Sequence, residues 1–181
     1  MRFAPFLPLM LLLAATSEPQ VRSPNGRMVV FVNERGTEPG LWIRDVVSGR
    51  ARRVVAPRAD DDPARNLTEL KHPVFSLDGG YVYFEASAWA TSSAVHQVEL
   101  STGRIRFVTD GWLYGVLRNG PWRGYLLVGQ HRYHGPPHYG SFNPVAVIRP
   151  DGKKMLQVPG SERDDGAESV EAWMRRKGWT L

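Results

Sequence analysis

Three histidines lie close together in the segment 130–139, and imidazoles at such spacing can hold a metal ion. His131, His134 and His138 could converge on one ion if the segment folded back, since neutral imidazole is a common zinc or copper ligand. Gly135-Pro136-Pro137 excludes a helix here, however, and no neighbouring carboxylate would complete the coordination shell. We therefore favour a His-rich and aromatic loop packed over a sheet, and expect neither a metal nor another cofactor.

The same segment is our first choice for a ligand contact. It joins two predicted strands, is long for a hairpin, and mixes hydrogen-bonding rings with apolar ones, and binding residues are often carried on such loops. The corresponding connection earlier in the chain, 85–94, is small and polar around Trp89. The candidate ligand-binding residues are His131, Tyr133, His134, His138, Tyr139 and Trp89.

Recognisable catalytic motifs do not occur in the sequence. The chain has no cysteine, which excludes disulfides, thiolate nucleophiles and cysteine-type zinc sites. It also has no nucleophile elbow, phosphate-binding loop or pair of acids in a familiar frame. His72 and His96 are interpreted as structural, and Asp60-Asp61-Asp62-Pro63 lacks the ligand spacing of a calcium loop. The sequence names no catalytic residue and favours a protein that is not an enzyme.

The net charge of +5 comes mostly from arginine. One basic cluster, Arg50-Ala51-Arg52-Arg53, falls in a probable strand pair, where its side chains alternate between the two faces. We interpret it as a solvated strand edge, since charge there discourages aggregation, and we expect no nucleic-acid partner. If the protein is exported, an anionic membrane or lipopolysaccharide surface is the alternative partner.

The N-terminus has the order of a secretory signal. Met1-Arg2 is followed by a mostly apolar run to Leu13 and then by small residues. The run is shorter than the roughly 20 residues of a membrane span. We expect cleavage after Ala15, with Ser17 as the alternative, and a periplasmic or secreted protein without a transmembrane segment.

Two turn patterns recur along the rest of the chain. Asn25-Gly26 and Asp78-Gly79 each come just before a run of β-branched and aromatic residues, which predicts hairpin turns. Segment 118–124 carries a degraded third copy. A second pattern places a Gly and then a basic residue between two strands, at Gly49, Gly103 and Gly152. The spacing of about 40 to 50 residues is the size of one propeller blade.

These turns resemble the TolB-type propeller repeat over residues 21 to 159, most closely in the first two copies. The resemblance implies an all-β protein of three antiparallel four-stranded (or three-stranded) sheets, stacked as blades of a partial or half propeller. The units are about 21–60, 72–110 and 112–159 of a repeat domain 16–160. Propellers of this group usually carry six or more blades and a further domain, so no function follows from the resemblance.

Three blades leave two sheet faces uncovered, because each blade buries its faces against its neighbours. A second copy could close a six-bladed ring, loops and a helix could cap the ends, or the stack could stay open. The tail 161–181 predicts a short C-terminal helix, with Asp165 as N-cap, Glu168 completing a capping box, and Trp173 and Met174 on the apolar face. We expect this helix to pack on a sheet rather than on a membrane surface.

The signal, the repeats and the missing catalytic motifs together favour an exported binding or scaffolding module. Its partner would be a protein or a small-molecule ligand that the sequence does not identify. A metal-binding protein or metal-dependent enzyme centred on His131, His134 and His138 is the alternative.

Overall fold

The structure is a computed structural model that describes residues 20–34, 37–90, 92–162 and 170–181. The first sheet contains β1 (Val21–Arg22), β2 (Met28–Asn33), β3 (Gly40–Asp45) and β4 (Ala51–Val55). The second contains β5 (Lys71–Phe75), β6 (Tyr81–Trp89), β7 (Ser92–Glu99) and β8 (Ile105–Asp110). The third contains β9 (Trp112–Val116), β10 (Leu126–Gly129), β13 (Val145–Ile148) and β14 (Lys154–Gln157). The predicted signal peptide lies outside the described residues.

Each sheet is a meander in which neighbouring strands pair antiparallel. The first strand of each sheet lies at the same edge, and β5 contacts both β1 and β9. A two-stranded ribbon, β11 (Arg132–Tyr133) with β12 (Ser141–Phe142), is inserted between β10 and β13. The prediction of three stacked antiparallel sheets is confirmed, and all three have four strands.

The repeated hairpin turns share one hydrogen-bond network. In the first turn the Ser23 hydroxyl donates to Asn25 Oδ1 at 2.8 Å and accepts the Met28 amide at 2.9 Å. In the second, the Ser76 hydroxyl donates to Asp78 and accepts the Tyr81 amide at 2.9 Å. The serine therefore fastens the turn to the strand that follows it, which explains why the pattern recurs with the same residue types.

Three apolar clusters hold the sheets together. The first fills the space between the first and second sheets, around Val30 and Phe84. The second lies between the second and third sheets, around Val95 and Leu126. The third lies on the outer face of the third sheet, around Leu127. Each sheet therefore buries apolar side chains on the faces that meet a neighbour, as stacked blades require.

A short helix covers the outer face of the third sheet. The helix α1 (Val170–Lys177) buries Trp173 and Met174 against the third cluster, and Trp179 meets Trp173 edge to face at 4.9 Å between ring centroids. The prediction of a C-terminal helix is confirmed, and its apolar side packs on a sheet. The proposed capping residues Asp165 and Glu168 lie outside the described residues. Within the described part of the chain no helix is long and apolar enough to cross a membrane.

The outer face of the first sheet is covered differently, by arginine side chains. The Arg44 guanidinium lies over the Phe31 ring at 5.6 Å and donates to Gln20 Oε1 at 2.7 Å. Arg53 donates to the Pro39 carbonyl at 3.3 Å. Arg52 lies on the opposite face and donates at 2.7 Å to the Leu100 carbonyl in the turn between β7 and β8. The side chains of the basic cluster 50–53 thus alternate between the two faces, and Arg44 on the neighbouring strand covers the Phe31 ring with a charged group that water can solvate.

Candidate ligand-binding cleft

Connections from the second and third sheets meet in one cleft. The end of β6 contributes Trp89, and the segment after β10 contributes His131 and Tyr133. The cleft has a volume of about 450 Å³. Its lining consists of Trp89, Ser92, Phe107, Asp110, His131, Arg132 and Tyr133. The structure thus brings together three of the residues that the sequence predicts as ligand contacts, although they lie far apart along the chain.

An ion pair between two sheets forms the polar part of the cleft. Asp110 ends β8 of the second sheet, and Arg132 begins the ribbon carried by the third. Arg132 Nη1 contacts Asp110 Oδ2, and its Nη2 donates to Asp110 Oδ1 at 3.2 Å. Such bidentate pairing fixes the plane of the guanidinium as well as its position. The pair therefore holds the ribbon against the second sheet.

A buried amide supports this ion pair from behind. Gln130 is 3% exposed, and its Nε2 donates at 3.3 Å both to Thr109 Oγ1 and to Asp110 Oδ1. Its backbone amide donates to the Pro144 carbonyl at 2.8 Å. Gln130 thereby ties the start of the ribbon to the end of β8, and the Asp110 carboxylate receives donors from two residues that follow β10.

The aromatic walls of the cleft are ordered by local contacts. His131 Nδ1 lies 2.8 Å from Asn143 Oδ1, and its ring meets Tyr133 edge to face with centroids 4.9 Å apart. Trp89 is 46% exposed and Tyr133 72% exposed. Two large rings thus stand open to solvent beside the Asp110–Arg132 ion pair.

The wall formed by Phe107 is backed by a buried histidine. His96 is 1% exposed, stacks on Phe84, and meets Phe107 edge to face at 5.7 Å between centroids. Its Nε2 lies 3.2 Å from the Ala64 carbonyl. Burial lowers the pKa of His96, so the ring is held neutral. The prediction of a structural role for this residue agrees with these contacts.

The remaining predicted residues lie outside the cleft lining. His134 stacks on Phe142 of β12, with ring centroids 4.4 Å apart. His138 follows Gly135 in a turn, and Tyr139 beside it is 82% exposed. Among the described residues no three His, Cys, Asp or Glu side chains form a group that could hold a metal ion. The structure therefore does not gather the three loop histidines around one point.

The acidic run Asp60-Asp61-Asp62-Pro63 forms an ordered turn rather than a loose loop. Asp60 accepts from Arg65 Nε at 3.1 Å and from the Asp62 amide at 2.9 Å. Arg65, through its hydrogen bond, holds the pKa of Asp60 below its usual value. Asn66 donates to the Ser87 carbonyl at 2.7 Å, so this turn braces the second sheet.

Comparison with known proteins shows similarity at the level of structure. No family model and no curated protein matches the sequence. The fold is similar to TolB from Acinetobacter baumannii, with a TM-score of 0.55 and 15% identity over 78% of this chain and 31% of that one. It is also similar to the β-propeller domain of the Trilobed protease from Pyrococcus furiosus, with a TM-score of 0.51 and 13% identity over 76% of this chain and 42% of that one.

The fold is a TolB-like β-propeller fold. The resemblance seen in the turns of the sequence is thereby confirmed. At 13% to 15% identity the similarity concerns the fold alone. The chain spans less than half the length of either structure. In this TolB-like fold the cleft of Trp89, Tyr133 and the Asp110–Arg132 pair lies between the second and third blades.

Proposed function

We propose that this protein is a binding module that docks a partner protein in the cleft between its second and third blades. The observation that supports this proposal is the pair of exposed rings, Trp89 and Tyr133, flanking an anchored arginine. Tryptophan, tyrosine and arginine are the residues most enriched among those that dominate the binding energy of protein interfaces. A cleft of about 450 Å³ has room for one or two side chains of a partner.

Preorganisation is the second argument for binding. Arg132 is held by Asp110 and by the His131 carbonyl at 2.8 Å, and His131 is held by Asn143. Each long side chain that is already ordered avoids a cost of about 0.5–1.5 kcal/mol when a partner arrives. The polar part of the cleft is therefore ready to receive a partner without rearrangement.

A selection experiment tests the proposal directly. Peptides are selected from a displayed library against the protein, and their affinities are compared for Trp89→Ala, Tyr133→Ala and a control variant. Val47 is the control because it is 89% exposed in the β3–β4 turn of the first blade. We expect each cleft variant to weaken binding at least about tenfold, and Val47→Ala to leave it unchanged.

Two outcomes would overturn this assignment. If the selected peptides bind both cleft variants as well as they bind Val47→Ala, the partner surface lies elsewhere. If no peptide binds but a small aromatic or sugar-like ligand does, and Trp89→Ala abolishes its binding, the cleft serves a small molecule and not a protein.

We also propose that the protein is exported. The support is the charged, apolar and small-residue order of residues 1–15, which is typical of a secretory signal. Fusion of residues 1–20 to an alkaline phosphatase that is active only outside the cytoplasm tests this. We expect activity with the natural sequence and none when Leu11 and Leu12 are both replaced by Arg. Equal activity of the two fusions would contradict export.

A further inference from the structure

A fully buried carboxylate lies where the second and third blades meet. Glu85 in β6 is 0% exposed. Its Oε1 accepts the Leu113 amide at 2.8 Å and lies 2.9 Å from His72 Nδ1. Its Oε2 has no hydrogen-bond partner among the described residues, and Lys71 Nζ is 3.9 Å away. A buried charge is retained at considerable cost, so this arrangement calls for an explanation beyond packing.

The backbone around this carboxylate is strained. A bulge between Lys71 and Val74 interrupts the pairing of β5 with β6 and carries His72 out of the regular ladder. His72 has a φ of 49°, and Glu69 nearby has the same value. Left-handed backbone at such residues costs about 1–3 kcal/mol each and clusters at ligand-binding sites. In this backbone conformation the His72 ring contacts Glu85, while 65% of the His72 side chain remains exposed to solvent.

His72 opens into a groove along the first strands of the three blades. Two neighbouring clefts of about 480 and 440 Å³ share Val32, Glu34, Leu70 and Lys71, and we call them together the inner groove. Its walls are mainly apolar. They include Val21, Val32, Leu70, Val74 and Leu113, with Tyr114 at the rim.

The charges of the inner groove are mostly negative. Glu34 and Glu69 are exposed carboxylates of its lining, while Lys71 is its cation and lies in ion-pair distance of buried Glu85. Among the described lining residues, two exposed carboxylates therefore stand beside one ammonium that already lies near Glu85, so this part of the groove attracts cations. A further cleft along the same strands adjoins the inner groove, with which it shares Val21, Val74 and Tyr114, and it contains Arg22 and Arg118.

The hydrogen bond to Glu85 also sets the chemistry that His72 offers. When Nδ1–H of the neutral imidazole donates to the carboxylate, Nε2 keeps a free lone pair and accepts hydrogen bonds. In that tautomer, a ligand that contacts Nε2 supplies the hydrogen-bond donor.

We propose that the inner groove binds an organic cation with an apolar body, an alkyl or aralkyl ammonium. The ammonium donates to His72 Nε2 and lies near the Glu34 carboxylate, while the apolar part lies along Leu70, Val74 and Leu113. This site is distinct from the Trp89 cleft, and the inference does not depend on the proposed function.

A matched series of probes that share an eight-carbon chain tests each part of the proposal. Octylammonium carries charge and donors, octyltrimethylammonium carries charge without donors, octan-1-ol has a neutral hydroxyl, and octanoate is an anion. Binding is measured by calorimetry and by the NMR shift of the His72 ring protons. We expect octylammonium to bind most tightly, octyltrimethylammonium roughly tenfold more weakly because it cannot donate, and octanoate not to perturb His72.

Substitutions in the full chain locate the site. His72→Phe keeps a ring but removes the acceptor, so octylammonium should bind it no better than octyltrimethylammonium does. Glu34→Gln should weaken both cations several-fold. His138→Phe, the same substitution at an exposed histidine outside the groove, should change nothing. If His72→Phe fails to fold by circular dichroism, Glu34→Gln carries the test, since this residue is exposed.

The proposal is overturned if octanoate binds as tightly as octylammonium and shifts the same His72 signals. It is also overturned if His72→Phe and Glu34→Gln both bind octylammonium as the His138→Phe control does. A failure of either kind leaves the peptide test of the Trp89 cleft unaffected, because the two sites share no lining residue.

Discussion

Replacing Trp173 by Ala should remove a large part of the stability of this protein. Trp173 is 2% exposed and joins α1 to the outer face of the third blade. A buried aromatic side chain removes about 150–250 Å² from water, which at about 25 cal/mol per Å² corresponds to roughly 4–6 kcal/mol. That figure is an upper bound, because the unfolded chain already buries some of this area. We expect a loss of about 3–5 kcal/mol in the free energy of unfolding.

Urea denaturation followed by far-UV circular dichroism measures this change. Trp89→Ala is the matched control, since Trp89 is 46% exposed and its truncation should cost at most about half as much. Because domains have total stabilities of about 5–15 kcal/mol, the Trp173 variant should unfold at a much lower urea concentration. A loss below about 1 kcal/mol, or one equal to that of Trp89→Ala, would refute the reasoning that α1 completes the core of the third blade.

Three further predictions concern the core and the stack. Burial lowers the pKa of His96 from 6.5. The neutral ring therefore contributes fully to stability above pH 6.5, and this contribution is lost as the pH falls below that value. Denaturation midpoints measured from roughly pH 8 down to pH 5 should fall less steeply for His96→Gln than for the wild type. Gly152→Ala should destabilise the protein more than Gly103→Ala does. At Gly152 a Cβ would lie 2.5 Å from the Val108 carbonyl oxygen, whereas at Gly103 it has open space and only the positive φ costs roughly 1–2 kcal/mol. Equal denaturation midpoints of the two variants would contradict this. Ending the chain at residue 162 removes α1 and uncovers the outer face of the third blade. Light scattering should therefore show more self-association than for the intact chain, and equal self-association of the two chains would contradict the covering role of α1.

The architecture was largely predictable because its signals are local. Each Ser-to-Asn or Ser-to-Asp turn is closed within a few residues, as the Ser23 and Ser76 networks show, and each places a glycine where left-handed backbone is needed. The spacing of Trp173 and Met174 likewise predicts the apolar face of α1. The inner strand of the first blade was harder to predict, because β1 has only 2 residues between the N-terminal segment and the first turn.

The polar partners in the two sites were not predictable in the same way. Asp110 and Arg132 are 22 positions apart, and Glu85 and Leu113 are 28 apart, so no short-range pattern connects them. Their meeting depends on the stacking of one blade on the next. Sequence reasoning found the aromatic side of the cleft through Trp89 and Tyr133 but missed its ion pair. It interpreted His72 as structural and did not find the carboxylate of Glu85 that His72 contacts.

NMR mapping of a bound peptide tests the proposed function most directly. The chain has six tryptophans, whose indole N–H signals can be assigned one by one by substitution, and Trp89 reports on the cleft. Titration with a selected peptide should shift the Trp89 indole together with the signals of Phe107, Arg132 and Tyr133, and leave the Trp42 and Trp173 indoles in place. Shifts concentrated at Trp42 on the first blade, with Trp89 unchanged, would contradict a binding surface between the second and third blades.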